Sequence, residues 1–588
     1  MNQTLKQQLT SLLESSLNKL NLLPLIKEKL ICVETSDERY GDYQFNIVMQ
    51  LAKQLAQSPH HLANQIIQNL PVNKIIAKAE IAGPGFINTT IRDDILCQFI
   101  QFDLDRIDYQ QSPLTVVIDY SSPNLAKQMH VGHLRSTIIG DSLVRINEFI
   151  GNKVIKRNHV GDWGTQFGML IAYINQYKLN SNDDFLIEEL ENIYTEAKQQ
   201  FDIDSNFATT ARLAVVNLQQ GNINSETYKT WQQIVSVSLK HCQIIYDLLQ
   251  VKLTLDDVYG ESYYNDLLPK MVTMLADKQL LKLSQGAYCV FCQLDDTTEC
   301  HPFIVQKQDG GYLYATSDLA TLYQRIYQLK ADKIIYVVDA RQTLHFKLLF
   351  AVAKQVGFTN SKITLQHVQF GVMCNQKGQP FKTREGNTVK LINLIKEAEQ
   401  RSMMMLLNQQ HGQALPLSDQ KKLAQNLAIA SIKYADLAKN RSHDYIFDYE
   451  QMLSFNGNTA PYLLYAYTRV NSVLKKTNLN LDPSLNLLDN YQIIISDNIT
   501  RQLIIHLSKF PDAIIQANQT NMPHFICNYV YKLATIFMKF YEQCPVIIYD
   551  EVGQFTELSY SRVKLLTIVA KNIKNSLNLL GINTVDKM

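Results

Sequence analysis

Two histidines, His130 and His133, flank a Val-Gly pair directly after a strand-like run and at the mouth of a helical one. Imidazoles so spaced lie about one helical turn apart. They can donate hydrogen bonds to a phosphate as charge builds on it in a transition state. The helix N-terminus beneath them adds unpaired N–H groups and the positive end of a dipole. Gly132 would let a flat base or ribose approach the backbone closely. Alone, such a pair reads equally well as a helix cap or half of a metal site. Its surroundings favour phosphate: a strand before it, a Pro123-Asn124 turn, a helix after it, and a second strand leading into GDWGTQFG (161–168). A rival site is CVFC (289–292) with Cys300-His301 downstream, which has zinc-ligand types. That segment reads as a strand, on which positions three apart face opposite ways, and no second ligand pair follows. Buried or half-buried thiols and no protein-bound zinc are therefore expected. Trp163 in GDWG stays open between a core aromatic and a site residue.

The elements that must position these residues follow from periodicity. LTVVIDY (114–120) is a β-branched buried-strand run. From His130 to Ile150 apolar residues recur at helical spacing (Leu134, Ile138, Ile139, Leu143, Ile146), and Gly151-Asn152 stops the helix. VIKRNHV (154–160) is a second strand, and the short links predict a parallel βαβ unit with a right-handed crossover. Residues 180–280 are helical and polar, inserted between two halves of a sheet. Strand character returns at DKIIYVVDA (332–340) and ITLQHVQFGVM (363–373), with a helix near 344–356 between them. From 389 helices dominate, apart from a short VIIYD strand (546–550). Before the core, residues 1–111 read as a small α+β module: an amphipathic helix over the first 30 residues, a helix at 46–55, and a β-rich stretch, 76–91, turning at Gly83-Pro84-Gly85.

Composition bounds the rest. At 588 residues the chain is too long for one core and suggests roughly three to five domains. With 46% hydrophobic residues it is a packed protein rather than a disordered one. A formal net charge of +1 advertises no nucleic-acid or membrane partner through its overall field, so any such partner must use local patches. Apolar runs are far too short to span a bilayer, and the first residues lack a signal-peptide core. Nine irregularly placed cysteines fit reduced thiols in a cytoplasmic protein.

SSPNLAKQMHVGHLRSTIIGDSLVRI (121–146) with NHVGDWGTQFG (158–168) resembles the HIGH signature of class I aminoacyl-tRNA synthetases, in the version of the arginyl-tRNA synthetase family. The resemblance continues through YGESYYN (259–265), TSDLATLYQRI (316–326), FKTREGNTVKL (381–391), KYADLAKNR (433–441), NGNTAPYLLYAYTRV (456–470) and LLGI (579–582), and so covers the whole chain. It implies an α/β fold with three parts: an N-terminal tRNA-contacting α+β module (1–111), a Rossmann-type parallel-sheet catalytic domain (112–445) with a helical insertion at about 180–300, and an anticodon-binding helical bundle (446–588). The implied activity is ATP-dependent activation of L-arginine to arginyl-adenylate, then transfer to tRNA(Arg), with activation dependent on the tRNA. Mg2+ accompanies ATP, and the protein is expected to be a cytoplasmic monomer.

The resemblance also assigns residues. His130, His133 and Lys127, with Lys382 and Arg384 of the second signature loop, carry catalysis. That loop departs from the family's KMSKS pattern: aligned through Gly386-Asn387, its two lysine positions hold Pro380 and Thr383. Many arginine enzymes share this degeneration, and a lysine just before the HIGH motif, here Lys127, is held to supply the missing charge. ATP binding falls to His130, Gly132, His133, Lys127, Gly371, Val372 and Met373. A guanidinium is planar, always charged and rich in donors, so its pocket needs carboxylate, hydroxyl and carbonyl acceptors. Asp119, Ser122, Asn124, His133, Tyr314, Asp318 and Gln342 fill that role by resemblance, with Tyr314 and Asp318 on one helix face. Tyr462, Phe537, Tyr541 and Met588 are the tRNA contacts expected in the tail, although aromatics at helical spacing also read as core. A paralogue without activity would be free to lose this set, and a small-molecule nucleotidyltransferase would need no helical tail.

Overall fold

The computed structural model describes residues 3–26, 30, 32–35, 38–101, 112–179, 186–294, 300–308, 310–381, 389–408, 410–477, 479, 488 and 490–588. At the N-terminus, Thr4 caps the helix Leu5–Lys19 in a reciprocal capping box with Gln7. This helix ends well before the thirtieth residue. A four-stranded antiparallel sheet follows, in order β1 (Cys32–Glu34), β2 (Tyr43–Phe45), β4 (Phe86–Ile91), β3 (Ile76–Ala82). The β3–β4 link is the expected Gly83-Pro84-Gly85 turn. Gly85 has φ +135°, and a side chain there would meet Pro59 at 2.7 Å.

The central sheet is parallel, in order β11 (Thr364–His367), β10 (Lys333–Tyr336), β5 (Thr115–Asp119), β6 (Lys153–Arg157). From β5 the chain crosses through the helix Val131–Phe149 to β6 on one side, and only much later places β10 on the other. The order thus reverses between β5 and β10, and a crevice opens beyond the carboxyl ends of these strands. The run 363–373 is not one strand. It breaks after His367, and Met373–Cys374 (β12) pairs instead with Tyr445–Ile446 (β13). Among the described residues the insertion contributes four α-helices (Ile187–Ile203, Ser205–Gln219, Glu226–Leu248, Leu268–Asp277). It also forms an antiparallel sheet of β7 (Leu281–Ser284), β8 (Ala287–Gln293) and β9 (Cys300–Lys307). Cys289 and Cys292 are buried thiols of β8, and burial pushes the Cys292 pKa up to about 11.

Among its described residues the tail packs five long helices: Ala460–Lys476, Asn498–Ser508, Phe510–Thr520, His524–Gln543 and Glu557–Leu579. The expected strand at 546–550 is absent; only an isolated bridge, Tyr549 to Phe555, forms there. The tail is tied to both other parts. Arg501 forks onto Asp42 at 2.9 and 3.0 Å and reaches Asp93 at 2.9 Å. At its far end Ser142 donates to the Leu579 carbonyl (2.9 Å), and fully buried Lys433 donates to the carbonyls of Leu249 (2.7 Å) and Gly581 (2.6 Å). Among the described residues no helix is long and apolar enough to cross a membrane.

Candidate active site

Beyond β5 the chain does not enter its helix directly. Residues 121–129 form a link in which Ser121, Ser122 and Ala126 all have positive φ (70°, 46° and 66°). Such conformations persist only where the surroundings over-determine them. Here much of the support comes from the insertion. Ala126 N–H donates to Ser238 Oγ (2.9 Å), Tyr246 hydroxyl meets Ser121 Oγ (2.8 Å), and Glu191 accepts from Gln128 N–H (2.8 Å). Asn124 forms an isolated parallel bridge with Gly161, where a side chain would fall 2.3 Å from Asn124 Oδ1.

The histidine pair lies where this link meets the helix. His130 is the N-cap residue: its Nδ1 accepts from Gly132 N–H at 3.1 Å. His133 Nδ1 in turn accepts from His130 N–H at 3.1 Å, and the rings stack with centroids 4.0 Å apart. Burial lowers the His130 pKa, helped by the nearby positive charges of Arg341 and Lys127. Burial also holds His133 down to about 3. Both rings are therefore neutral near pH 7. Since each Nδ1 accepts a backbone proton, each ring proton must sit on Nε2. The pair presents two Nε2–H donors beside the helix N-terminus. Gly132 serves the pair as well: a side chain there would sit 2.8 Å from His130 Cε1.

Lys127 is exposed, its ammonium 4.3 Å above the Tyr194 ring of the insertion. Arg341 is held by Asp339 in a fork of 2.8 and 2.9 Å. Lys382 and Arg384 lie outside the described residues. The strand segment leaving their loop is nevertheless anchored at the site: His130 bridges Lys390, whose ammonium pairs with Glu191 at 2.9 Å. Gly371, Val372 and Met373 follow β11 in the chain, and their backbone is largely used within the protein. Gly371 N–H donates to the Arg441 carbonyl (2.9 Å), and its own carbonyl accepts from buried Arg135 (2.7 Å). Val372 N–H donates to Asp444 Oδ1 (2.6 Å), and the Val372 carbonyl accepts from Tyr445 N–H (3.1 Å).

A second, acidic cluster gathers around the ends of β5 and β6 and the helix Tyr314–Tyr327. Asp318, on the helix Tyr314–Tyr327, accepts from His345 Nε2 at 2.7 Å and has His159 Nε2 at 3.8 Å. Tyr314 is 61% exposed at the rim, its ring 5.0 Å from His345. Gln342 is exposed where a short 3-10 turn enters the next helix. Asp119, at the end of β5, is buried; Arg325 donates to it at 2.6 Å and Ser122 Oγ at 2.9 Å. A carboxylate has about four acceptor sites, so both partners leave it capacity. Glu261 completes the acidic half. Burial raises its pKa to about 7; nearby His159 pulls the other way, while Asp162 and Asp318 push with burial. Glu261, His159, His345 and Glu191 are residues that the sequence reading did not single out.

In the tail the expected contacts divide. Phe537 is 0% exposed: it is a core residue and offers no face to a base. Tyr541 is half-buried with the Arg469 guanidinium 5.2 Å over its ring. Tyr462 packs 5.7 Å from Tyr531, and Met588 lies half-buried against the core.

Three family models match the chain in series: the N-terminal domain of arginyl tRNA synthetase over residues 7–91, the class I (R) tRNA synthetase catalytic domain over 100–449, and the DALR anticodon binding domain over 463–588. The chain belongs to the arginyl-tRNA synthetase family. The arginine–tRNA ligase of Alcanivorax borkumensis is 45% identical over 99% of this chain and 100% of its own length. That of Idiomarina loihiensis is 46% identical over 94% of each. Among solved structures, the arginyl-tRNA synthetase of Plasmodium falciparum superposes with a TM-score of 0.84 at 30% identity, covering 100% of both chains. The Thermus thermophilus arginyl-tRNA synthetase shares the fold at a TM-score of 0.80 and 20% identity, over 99% of this chain and 100% of that one.

Proposed function

We propose that this chain activates L-arginine with ATP and transfers the arginyl group to the 3′ end of tRNA(Arg). The observation that carries the reading is that two Nε2–H donors at a helix N-terminus and a cluster of carboxylates both belong to the segments that follow adjoining strands of one parallel sheet. In the first step an arginine carboxylate oxygen attacks the α-phosphorus, and the bond to pyrophosphate breaks. The Nε2–H groups of His130 and His133 donate to the α-phosphate as its charge grows. Lys127 follows the charge moving onto pyrophosphate, with Lys382 and Arg384 in support. Asp318 and Glu261 take the guanidinium, Tyr314 and Gln342 close the rim, and Asp119, already paired with Arg325, adds acceptor capacity from the floor. Asn124, Ser122 and His133 hold the amino-acid backbone. Gly371, Val372 and Met373 border the adenine. In the second step a ribose hydroxyl of the tRNA attacks the acyl carbon, and AMP leaves.

Magnesium would arrive on the ATP phosphates as part of the substrate, where it neutralises phosphate charge. Among the described residues no group of three or more His, Cys, Asp or Glu side chains is placed to hold a metal. The helical tail would grip the tRNA, with Tyr462, Tyr541 and Met588 at its surface. We place the protein in the cytoplasm as a monomer. The degenerate loop around Thr383 makes activation dependent on bound tRNA, an induced-fit step. ATP–pyrophosphate exchange with each amino acid, with and without tRNA, tests this. Exchange is expected with arginine alone and only when tRNA is present, with lysine a poor substrate. Robust exchange in tRNA-free protein overturns the dependence, and a preference for another amino acid overturns the specificity.

A further inference from the structure

The strip 369–372 leads into the residues that border the adenine in the reading above, and two arginines grip its backbone from different parts of the molecule. From the helix Val131–Phe149, buried Arg135 donates to the Gly371 carbonyl at 2.7 Å and to the His443 carbonyl at 3.1 Å, with Asp436 paired to it at 3.0 Å. From the loop after the helix Leu417–Leu437, half-buried Arg441 donates through Nη1 to the Gln369 carbonyl. Its own carbonyl accepts from Gly371 N–H at 2.9 Å. Gly371 is pressed closely against this loop: a side chain there would fall 2.5 Å from Asp444 Oδ1 and 2.6 Å from the His443 carbonyl carbon. The strip therefore has little freedom to shift without the loop that carries Arg441.

The rest of the Arg441 guanidinium reaches into the tail. Its Nε donates to the Asn521 carbonyl at 2.8 Å and its Nη2 to the Thr520 carbonyl at 3.4 Å. These carbonyls close the helix Phe510–Thr520, which ends at Asn521 in a left-handed cap with φ +52°. Carbonyls at a helix end lack helical partners and carry the negative end of the dipole, so a cation suits them. A rigid fork of donors can hold strip and helix end at once, whereas an ammonium on a flexible stem cannot. One further contact crosses the same corner without touching the strip: Asn521 Nδ2 donates to Gln366 Oε1 of β11 at 2.9 Å. Resting on the synthetase reading above, we propose that Arg441 is a positioning residue for the ATP site. It passes the placement of the tail helix Phe510–Thr520 to the strip 369–372, so that a tail braced by bound tRNA holds the adenine border in its binding geometry. By linkage, whatever factor tRNA adds to ATP affinity, ATP adds to tRNA affinity.

The experiment measures the affinity of the full-length protein for a non-hydrolysable ATP analogue with Mg2+, with and without saturating tRNA(Arg). It compares the wild type with Arg441→Lys, Arg441→Ala and Gln366→Ala. In the wild type, tRNA should tighten analogue binding by roughly fivefold or more, where coupling between sites usually begins. Both Arg441 variants should lose most of that factor and show an ATP KM for aminoacylation raised to match. Their arginine KM, and their tRNA affinity measured without nucleotide, should be unchanged, which a general loosening of the fold would not allow. Gln366→Ala cuts the neighbouring contact of the same corner and should keep the wild-type factor. Arg441→Lys preserves the charge, so it decides the question if Arg441→Ala does not fold. A wild-type factor in Arg441→Lys, an equal loss in Gln366→Ala, or no effect of tRNA on analogue affinity in the wild type overturns the proposal. Failure of the synthetase reading itself would look different: wild-type protein would form no arginyl-tRNA at all.

Discussion

The two halves of the crevice are built in opposite ways. In the phosphate half, His130, Gly132 and His133 satisfy one another within four residues: each Nδ1 is taken by a backbone N–H of the same helix start. In the acidic half, Asp318, His345, His159 and Glu261 come from four separated segments, and Glu261 is pushed up by burial, with His159 pulling it down and Asp162 and Asp318 adding to the rise. A locally closed device has its protonation set by its own backbone. A device assembled across the fold has its protonation set by packing, and it stays open to titration.

The largest effect should come from the local half. His133→Ala removes one Nε2–H donor that acts on developing charge, and it also frees the His130 N–H. It should lower kcat for aminoacylation by about 10²–10³-fold and also raise the arginine KM, because His133 is assigned to the amino-acid backbone as well; Lys127→Ala should approach this loss in kcat with the arginine KM little changed. Steady-state kinetics on folded variants measures both. If Lys382→Ala proves crippled while Lys127→Ala stays near wild type, the loop still carries that charge and the division of labour is wrong.

Next, Asp318→Asn should raise the arginine KM by roughly tenfold or more, the scale of a lost charge-assisted hydrogen bond. The ATP KM should hardly move. An unchanged arginine KM would remove Asp318 from the acidic half.

Titration should separate the halves further. With its pKa at about 7, Glu261 is largely protonated at pH 6 and must release a proton to bind a guanidinium. The arginine KM should rise on the order of tenfold between pH 8 and pH 6, and Glu261→Gln should flatten that profile. The linkage to stability has the matching sign. The folded value exceeds the ordinary 4.5, so this carboxyl favours the fold below about pH 4.5 and loses that contribution as pH rises through 7. His133, held down to about 3 by burial, should add no inflection between pH 6 and 8.

The smallest effect should come from Gly132→Ala. The added methyl would stand 2.8 Å from His130 Cε1 and push the ring by a few tenths of an ångström. A severalfold loss in kcat is expected, since misplacement by a full ångström costs about 10²-fold. A wild-type rate would mean the ring is free to move.

This contrast also marks what was legible before folding. The strand, turn and helix around His130 and His133 are written in adjacent residues, because period and capping are local properties of a chain. The neutral tautomers follow once that geometry exists. Glu261 and His159 carried no such signal, because neither is special until burial and Asp318 surround it. Phe537 shows the limit from the other side: its helical spacing with Tyr541 fits a stacking face and a core face equally, and the bundle buries it completely. Sequence periodicity determined the strands of the parallel sheet, the inserted helices and the turn that carries the histidine pair, because neighbouring residues set those. Tertiary structure alone decided which carboxylates share a pocket, which aromatics stay at the surface, and how the insertion props up the left-handed link at Ser121, Ser122 and Ala126. Those outcomes depend on contacts between residues up to about a hundred or more positions apart, and no local pattern encodes such contacts.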